Sequence, residues 1–193
     1  MSDNRIRLFE GDVLLRGKHS AYVKFLVNDA KIFDKYIDVY LCGAVVGYLY
    51  NVKAPRDNSI QDTGKIYADA VSKHKQDCMF LYRLITLLDG AKSDEKECIN
   101  RAFRYDTDDG KAEETKECLE RFNAYARGGI EKLYDDLKSG ATNRRDYIRN
   151  SIDYAKKFKD ELDDSGVSYK EKLKREISGG RKLTCKSKFR MKD

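Results

Sequence analysis

Residues 39–50 read VYLCGAVVGYLY (Val39 to Tyr50), twelve positions without a charge. Wound as a helix, that run is apolar on every side, which marks a helix surrounded by others. It falls short of the roughly 18 to 20 residues needed to cross a bilayer. We therefore expect a buried central helix from about residue 30 to 50, carrying Phe33, Ile37, Tyr40, Leu41, Ala44 and Tyr48 inward. Gly43 and Gly47 are four apart and share one face. A glycine within a helix costs about 1 kcal/mol relative to alanine, so close packing of a neighbouring helix is the compensation expected there.

Pro55 is the only proline and strand-like alternation is scarce, so long helices with short polar joints extend on both sides. The expected fold is all-α, a single-domain bundle of six to seven helices around the central one. A first helix covers about 18–27, and the polar stretch 52–64 is a loop. A long helix over about 65–89 turns Ala70, Cys78, Leu81, Leu84, Ile85 and Leu88 to the core, with Gly90 capping its end. Ser93 caps the next helix, striped by Cys98, Ile99, Ala102 and Phe103. Another begins near Ala112 with Leu119, Phe122, Ala126, Ile130, Leu133 and Leu137 inward, and Gly128 and Gly129 kink or divide it. Thr142 caps a helix to about Leu162, with Tyr147, Ile148, Ile152, Ala155 and Phe158 inward. Ser168 and Glu171 have capping-box spacing and open a last helix to about Ile177. Residues 5–15 read as either extended or a short helix, with Leu8, Phe9, Leu14 and Leu15 available to anchor it.

Charge is segregated. From Lys170 to Asp193, ten Lys/Arg stand against three acids, a local +7 within a chain of net +6, so the preceding residues are near neutral. The expected division is a helical domain over 1–178 and a basic C-terminal tail over 179–193, mobile without a partner. Arg181, Lys182, Lys186, Lys188 and Arg190 in that tail are the expected nucleic-acid contacts, and Phe189 is placed to stack on an unpaired base. The segment 94–120 is the counterpart, with ten acids against five bases. It would repel DNA and attract a basic partner.

Five cysteines with no two closer than four residues build no local zinc or CxxC motif, so reduced thiols are expected. His74 and Cys78 share a helix face but make only half of a metal site, and no metal or cofactor is expected. The DTDDG segment (Asp106 to Gly110) has its glycine one position early for an EF-hand and reads as an acidic helix-initiating turn. Arg16, Lys18 and His19 meet where the first helix starts and form a candidate anion-binding site, the other reading being a solvated helix start. Asp38, inside the central helix, is expected to pair with one of Arg83, Arg101 or Arg104. No GxSxG, HExxH or paired-His arrangement occurs, so a non-enzymatic role is expected. The charged N-terminus lacks a secretory h-region, which implies a cytoplasmic protein.

At RGKHSAYVKFL (Arg16 to Leu26), DVYLCGAVVGYLYN (Asp38 to Asn51), RAFR (Arg101 to Arg104) and FNAYARGGIEKLYDDL (Phe122 to Leu137), the chain resembles small helical accessory proteins encoded in bacterial anti-phage and restriction gene clusters. The resemblance implies a protein partner, often a nucleic-acid-processing enzyme, and assigns no catalytic residue. The functional expectation is a non-catalytic accessory protein acting through that partner, its tail on nucleic acid. The alternative is a free-standing DNA- or RNA-binding protein of little sequence specificity.

Overall fold

The computed structural model describes residues 6–57, 62–89 and 94–178, with side chains described as far as Glu161 except that of Glu95. Among these residues the fold is all-α apart from one small sheet. The order is β1 (Val13–Arg16), α1 (Lys18–Lys24), α2 (Tyr36–Leu49), β2 (Thr63–Ile66), α3 (Ala68–Lys73), α4 (Lys75–Asp89), α5 (Glu95–Phe103), α6 (Ala112–Lys138) and α7 (Arg144–Ser178). Two compact units divide after Ser151. In the second, the Tyr154 and Phe158 rings stack one helical turn apart, and Lys157 lies 3.9 Å from Glu161. The basic residues 179–193, including all five expected nucleic-acid contacts, lie outside the described residues.

In the first unit α2 is the central helix, with Ile37, Val39, Tyr40, Ala44 and Val46 buried. Its main neighbour is α6. The two backbones meet at glycine: a Cβ on Gly129 would overlap the Gly43 carbonyl oxygen, and one on Gly47 would overlap the Tyr125 carbonyl oxygen. The expected packing role of Gly43 and Gly47 is thus the observed one, and α6 answers it with a glycine of its own. Rather than kinking or dividing α6, Gly128 and Gly129 lie within an unbroken helix of 27 residues. Each admits a different piece of backbone, since a Cβ on Gly128 would overlap Val52.

Helix α2 starts later than expected, because Lys35 is extended. Its end is a Schellman cap with asparagine in the left-handed position: Asn51 has φ +52°, Val52 N donates to the Gly47 carbonyl (2.8 Å) and Asn51 N to that of Tyr48 (3.0 Å). The chain then runs extended over α6, where Ala54 N donates to the Ala124 carbonyl at 3.0 Å. That path delivers Arg56 and Asp57 to the surface beside β1. Asp38 forms no ion pair with an arginine among the described residues; it lies in the first turn of α2, where a negative charge suits the free amides. Arg83 pairs with Asp106 and Arg101 with Glu97 instead.

A strand pair was not foreseen, although 5–15 was open to an extended reading. β1 and β2 pair antiparallel, Val13 opposite Ile66 and Leu15 opposite Gly64, so the stretch open to two readings is partly strand. The expected helix over 65–89 is a strand end followed by two helices broken at His74. Gly90 and Ser93 lie outside the described residues. Asn143, not Thr142, caps α7, its side-chain oxygen accepting from Arg145 N (2.9 Å) and Asp146 N (3.2 Å). α7 continues through Ser168 as one helix, so no separate last helix opens there.

Phe9, Tyr40, Tyr82 and Phe122 form an edge-to-face aromatic cluster, with ring centroids 5.8 to 6.2 Å apart along the contacts from Phe122. Replacing Gly129 by alanine should lower stability in urea unfolding by about 3 kcal/mol or more, since neither backbone can retreat without unpacking its helix, whereas Gly11→Ala, with nothing within 4 Å of its Cβ, should be neutral. Ala44→Asp places an unpaired charge at a fully buried position. It should yield insoluble or unfolded protein on expression, as such a charge costs roughly 3 to 5 kcal/mol against a total of about 5 to 15.

Candidate functional site

A cavity of about 460 Å³ opens between the N-terminal segment with β1, the start of α1, the chain after α2, and the middle of α6. Its wall carries four arginines, Arg7, Arg16, Arg56 and Arg127, with Asp12, Asp57, His19 and Asn123. Phe9, Leu14 and Leu119 are among its apolar residues. Phe9 holds a left-handed backbone (φ +56°), which a bulky residue adopts only where packing over-determines it; here the aromatic cluster grips its ring.

The start of α1 is organised differently from a bare helix terminus. Gly17 turns with φ +59°, and Lys18 N donates to Asp57 Oδ2 at 3.0 Å. The anion that meets this helix start is the protein's own. A Cβ on Gly17 would lie 2.6 Å from the Asp57 side chain, so glycine is required for both the turn and the approach. The Lys18 ammonium reaches Glu131 Oε1 at 3.0 Å and is not among the cavity residues, while Arg16 and His19 both line it. Of the three residues grouped by sequence, two share the cavity and one faces away.

His19 is fully buried. Its Nε2 lies 2.8 Å from Glu131 Oε1, and a carboxylate can only accept, so Nε2 carries the proton. That leaves Nδ1 as an acceptor, and it has no hydrogen-bond partner among the described residues. Burial pushes the imidazole pKa below its usual value, more than Glu131 raises it. His19 is accordingly a neutral acceptor at the wall rather than a cation. Tyr40, at the cavity base, donates its hydroxyl to Asn123 Oδ1 at 2.6 Å.

The cationic wall is braced by one carboxylate. Arg127, nearly buried on α6, donates Nε to the Ala54 carbonyl (2.9 Å) and Nη2 to Glu120 Oε1 (2.7 Å). Arg56 donates to the other oxygen of Glu120 at 2.5 Å. Partial burial tends to raise the Glu120 carboxyl pKa, but the hydrogen bonds and charges of both arginines outweigh it and the net shift is downward. One negative charge therefore serves two guanidinium groups. Asp12 is matched outside the cavity by Lys65 at 2.7 Å. Arg16 is exposed and has no carboxylate partner among the described residues. Sequence reading missed Arg56, Arg127 and Asn123. A signal existed for Arg127, a lone cation in the run AYARGGI, the same signal that singled out Arg83 and Arg101.

A second feature is an apolar surface. Helix α4 buries Cys78, Tyr82 and Ile85, so Leu84 and Leu88, expected in the core, face outward with Phe80. On α5, Cys98 and Ala102 are buried and Ile99 and Phe103 are exposed. Ile148 and Ile152 of α7 are likewise exposed rather than inward. His74 sits 3.4 Å from Asp77 while Cys78 is in the core, and among the described residues no group of three or more His, Cys, Asp or Glu is arranged to hold a metal ion. Asp106 and Asp108 of the DTDDG turn serve Arg83 and Gly110 N. No described helix is long and apolar enough to cross a membrane.

Because the folded-state pKa of His19 is lowered, its contribution to stability is complete above the ordinary histidine value of about 6.5 and is lost as pH falls through it toward the folded value. His19→Gln, which keeps a donor for Glu131, should reduce the loss of unfolding free energy between neutral and mildly acidic pH, compared by urea titrations of both proteins. Comparison with protein-family models, with curated proteins and with solved structures gives no match.

Proposed function

We infer that the chain is a non-catalytic accessory protein that works through a protein partner, and that the outer face of α4 and α5 is the surface it presents. The observation that carries this reading is the stripe Phe80, Leu84 and Leu88, 65%, 38% and 43% exposed at four-residue spacing. Beside it α5 contributes Ile99 and Phe103, and the Arg83 guanidinium lies 5.6 Å from the Phe103 ring, linking the two helices. Single exposed apolar residues are ordinary, but five on two packed helices make a patch of the kind that marks interaction sites. Aromatic and aliphatic anchors flanked by arginine are also the composition of interface hot spots. The net negative charge of 94–120 favours a partner with basic residues around its own apolar face.

The resemblance to accessory proteins of anti-phage gene clusters supports a cytoplasmic complex with a nucleic-acid-processing enzyme. In it, the charge of +7 over 170–193 would contact the nucleic acid. That same charge supports the second reading, a free-standing binder of DNA or RNA.

Co-expression with the products of the flanking genes should yield a complex that survives gel filtration. Phe80→Asp combined with Leu84→Asp should weaken it at least about thirty-fold, as loss of a hot spot implies, and Phe80→Asp alone, at a position 65% exposed, should weaken it with Tm nearly unchanged. A wild-type protein that stays alone and binds duplex or single strands by itself would overturn this reading in favour of the second. Deleting 180–193 should then remove the salt-dependent affinity.

A further inference from the structure

We propose that the arginine-walled cavity is a binding site for a phosphomonoester of nucleotide size. The first argument is charge. Four arginines face two aspartates, and the aspartates are already committed: Asp12 to Lys65 and the Ala68 amide, Asp57 to the Lys18 amide. Arg56 and Arg127 share Glu120, and Arg16 has no carboxylate partner among the described residues. Arg16, Arg56 and Arg127 thus outnumber the one carboxylate that the last two share, which leaves the wall with an excess of positive charge among the described residues. A planar fork of donors matches phosphate oxygens, and guanidinium groups on several sides of the wall suit the three terminal oxygens of a phosphomonoester better than the two of a carboxylate.

The second argument is independent of charge. His19 is fully buried in the wall, and its Nδ1 is an acceptor with no partner among the described residues. A buried acceptor of this kind costs free energy unless something donates to it. An organic ligand with an amino or hydroxyl group supplies such a donor after a small adjustment of the wall. Asn123, its Oδ1 taken by Tyr40, has its amide N–H groups left to offer in the same wall. The third argument is size and lining. The volume of about 460 Å³ is within the range of small-molecule sites, and Phe9, Leu14 and Leu119 give an apolar face for the body of the ligand. Arginines for the phosphate, an apolar face for a ring, and one acceptor with one donor for its polar edge together describe a nucleoside monophosphate. This site is separate from the α4–α5 face and stands whether or not that face binds a partner.

The test titrates the full chain with each of the four ribonucleoside 5′-monophosphates, with the matching nucleosides and with inorganic phosphate, by calorimetry and amide-resolved NMR. At least one monophosphate should bind saturably, shifting Arg16, His19, Arg56 and Asn123, and its nucleoside should bind at least ten-fold more weakly. Arg16→Ala, at an exposed position that leaves Tm unchanged, should weaken the monophosphate at least ten-fold. His19→Gln should weaken the monophosphate and leave inorganic phosphate unaffected. The proposal is overturned if no monophosphate binds the wild type, if phosphate alone binds as tightly as any monophosphate, or if a folded Arg16→Ala variant binds as well as the wild type.

Discussion

The contact between α2 and α6 is the constraint on which the rest depends. Two helices usually stand 8 to 10 Å apart because side chains separate them. Here Gly43 and Gly47 on one helix and Gly129 on the other remove the separators, and backbone meets backbone. Such proximity maximises dispersion contacts over a short length, which offsets the conformational cost of glycine in a helix. It also accounts for much of the apolar surface of α2, since α6 takes one face and α1 and α4 cover others, while Cys42 and Leu49 stay exposed rather than surrounded as the uncharged run implied.

That contact has a downstream effect on the polar wall. Gly128, adjacent to Gly129 but on a different face of α6, admits the extended chain after α2, and the Arg127 guanidinium ties that chain down through the Ala54 carbonyl. Arg56 and Asp57 follow within three residues. Asp57 then caps α1, and Arg56 shares Glu120 with Arg127. The run Arg127-Gly128-Gly129 therefore joins core packing to cavity construction: the glycines set where the backbones lie, and the arginine uses the closeness to reach a carbonyl that a longer separation would put out of range.

The α4–α5 surface shows a different economy. A helix packed on one side needs only a stripe of buried residues, and α4 obtains it from Cys78, Tyr82, Ile85 and Thr86. The leucines at 84 and 88 are then surplus to the core of this chain. Apolar residues beyond what the core requires are the physical basis for reading that face as a place where another protein completes the burial.

What the sequence alone determined was set by local chemistry. An uncharged run as long as Val39 to Tyr50 must bury much of its surface, so the central helix was legible although Cys42 and Leu49 stay exposed, as were the glycines facing its neighbour and the inward row Phe122, Ala126, Ile130, Leu133 and Leu137 of α6. The grouping of Arg16 with His19 was legible because they are close in the chain. Tertiary structure decided the rest. The two short strands carry no alternation strong enough to announce themselves, and they exist because each supplies the other's hydrogen bonds across about fifty residues. Leu84 and Tyr82 are both apolar enough for a core, and only the angle at which α4 meets its neighbours chose Tyr82. Arg7, Arg16, Arg56 and Arg127 became one wall through folding, since long-range electrostatic grouping leaves no periodic trace in a chain. The protonation of His19 was decided last, by Glu131 on the far side of the ring and by the burial that keeps the ring neutral.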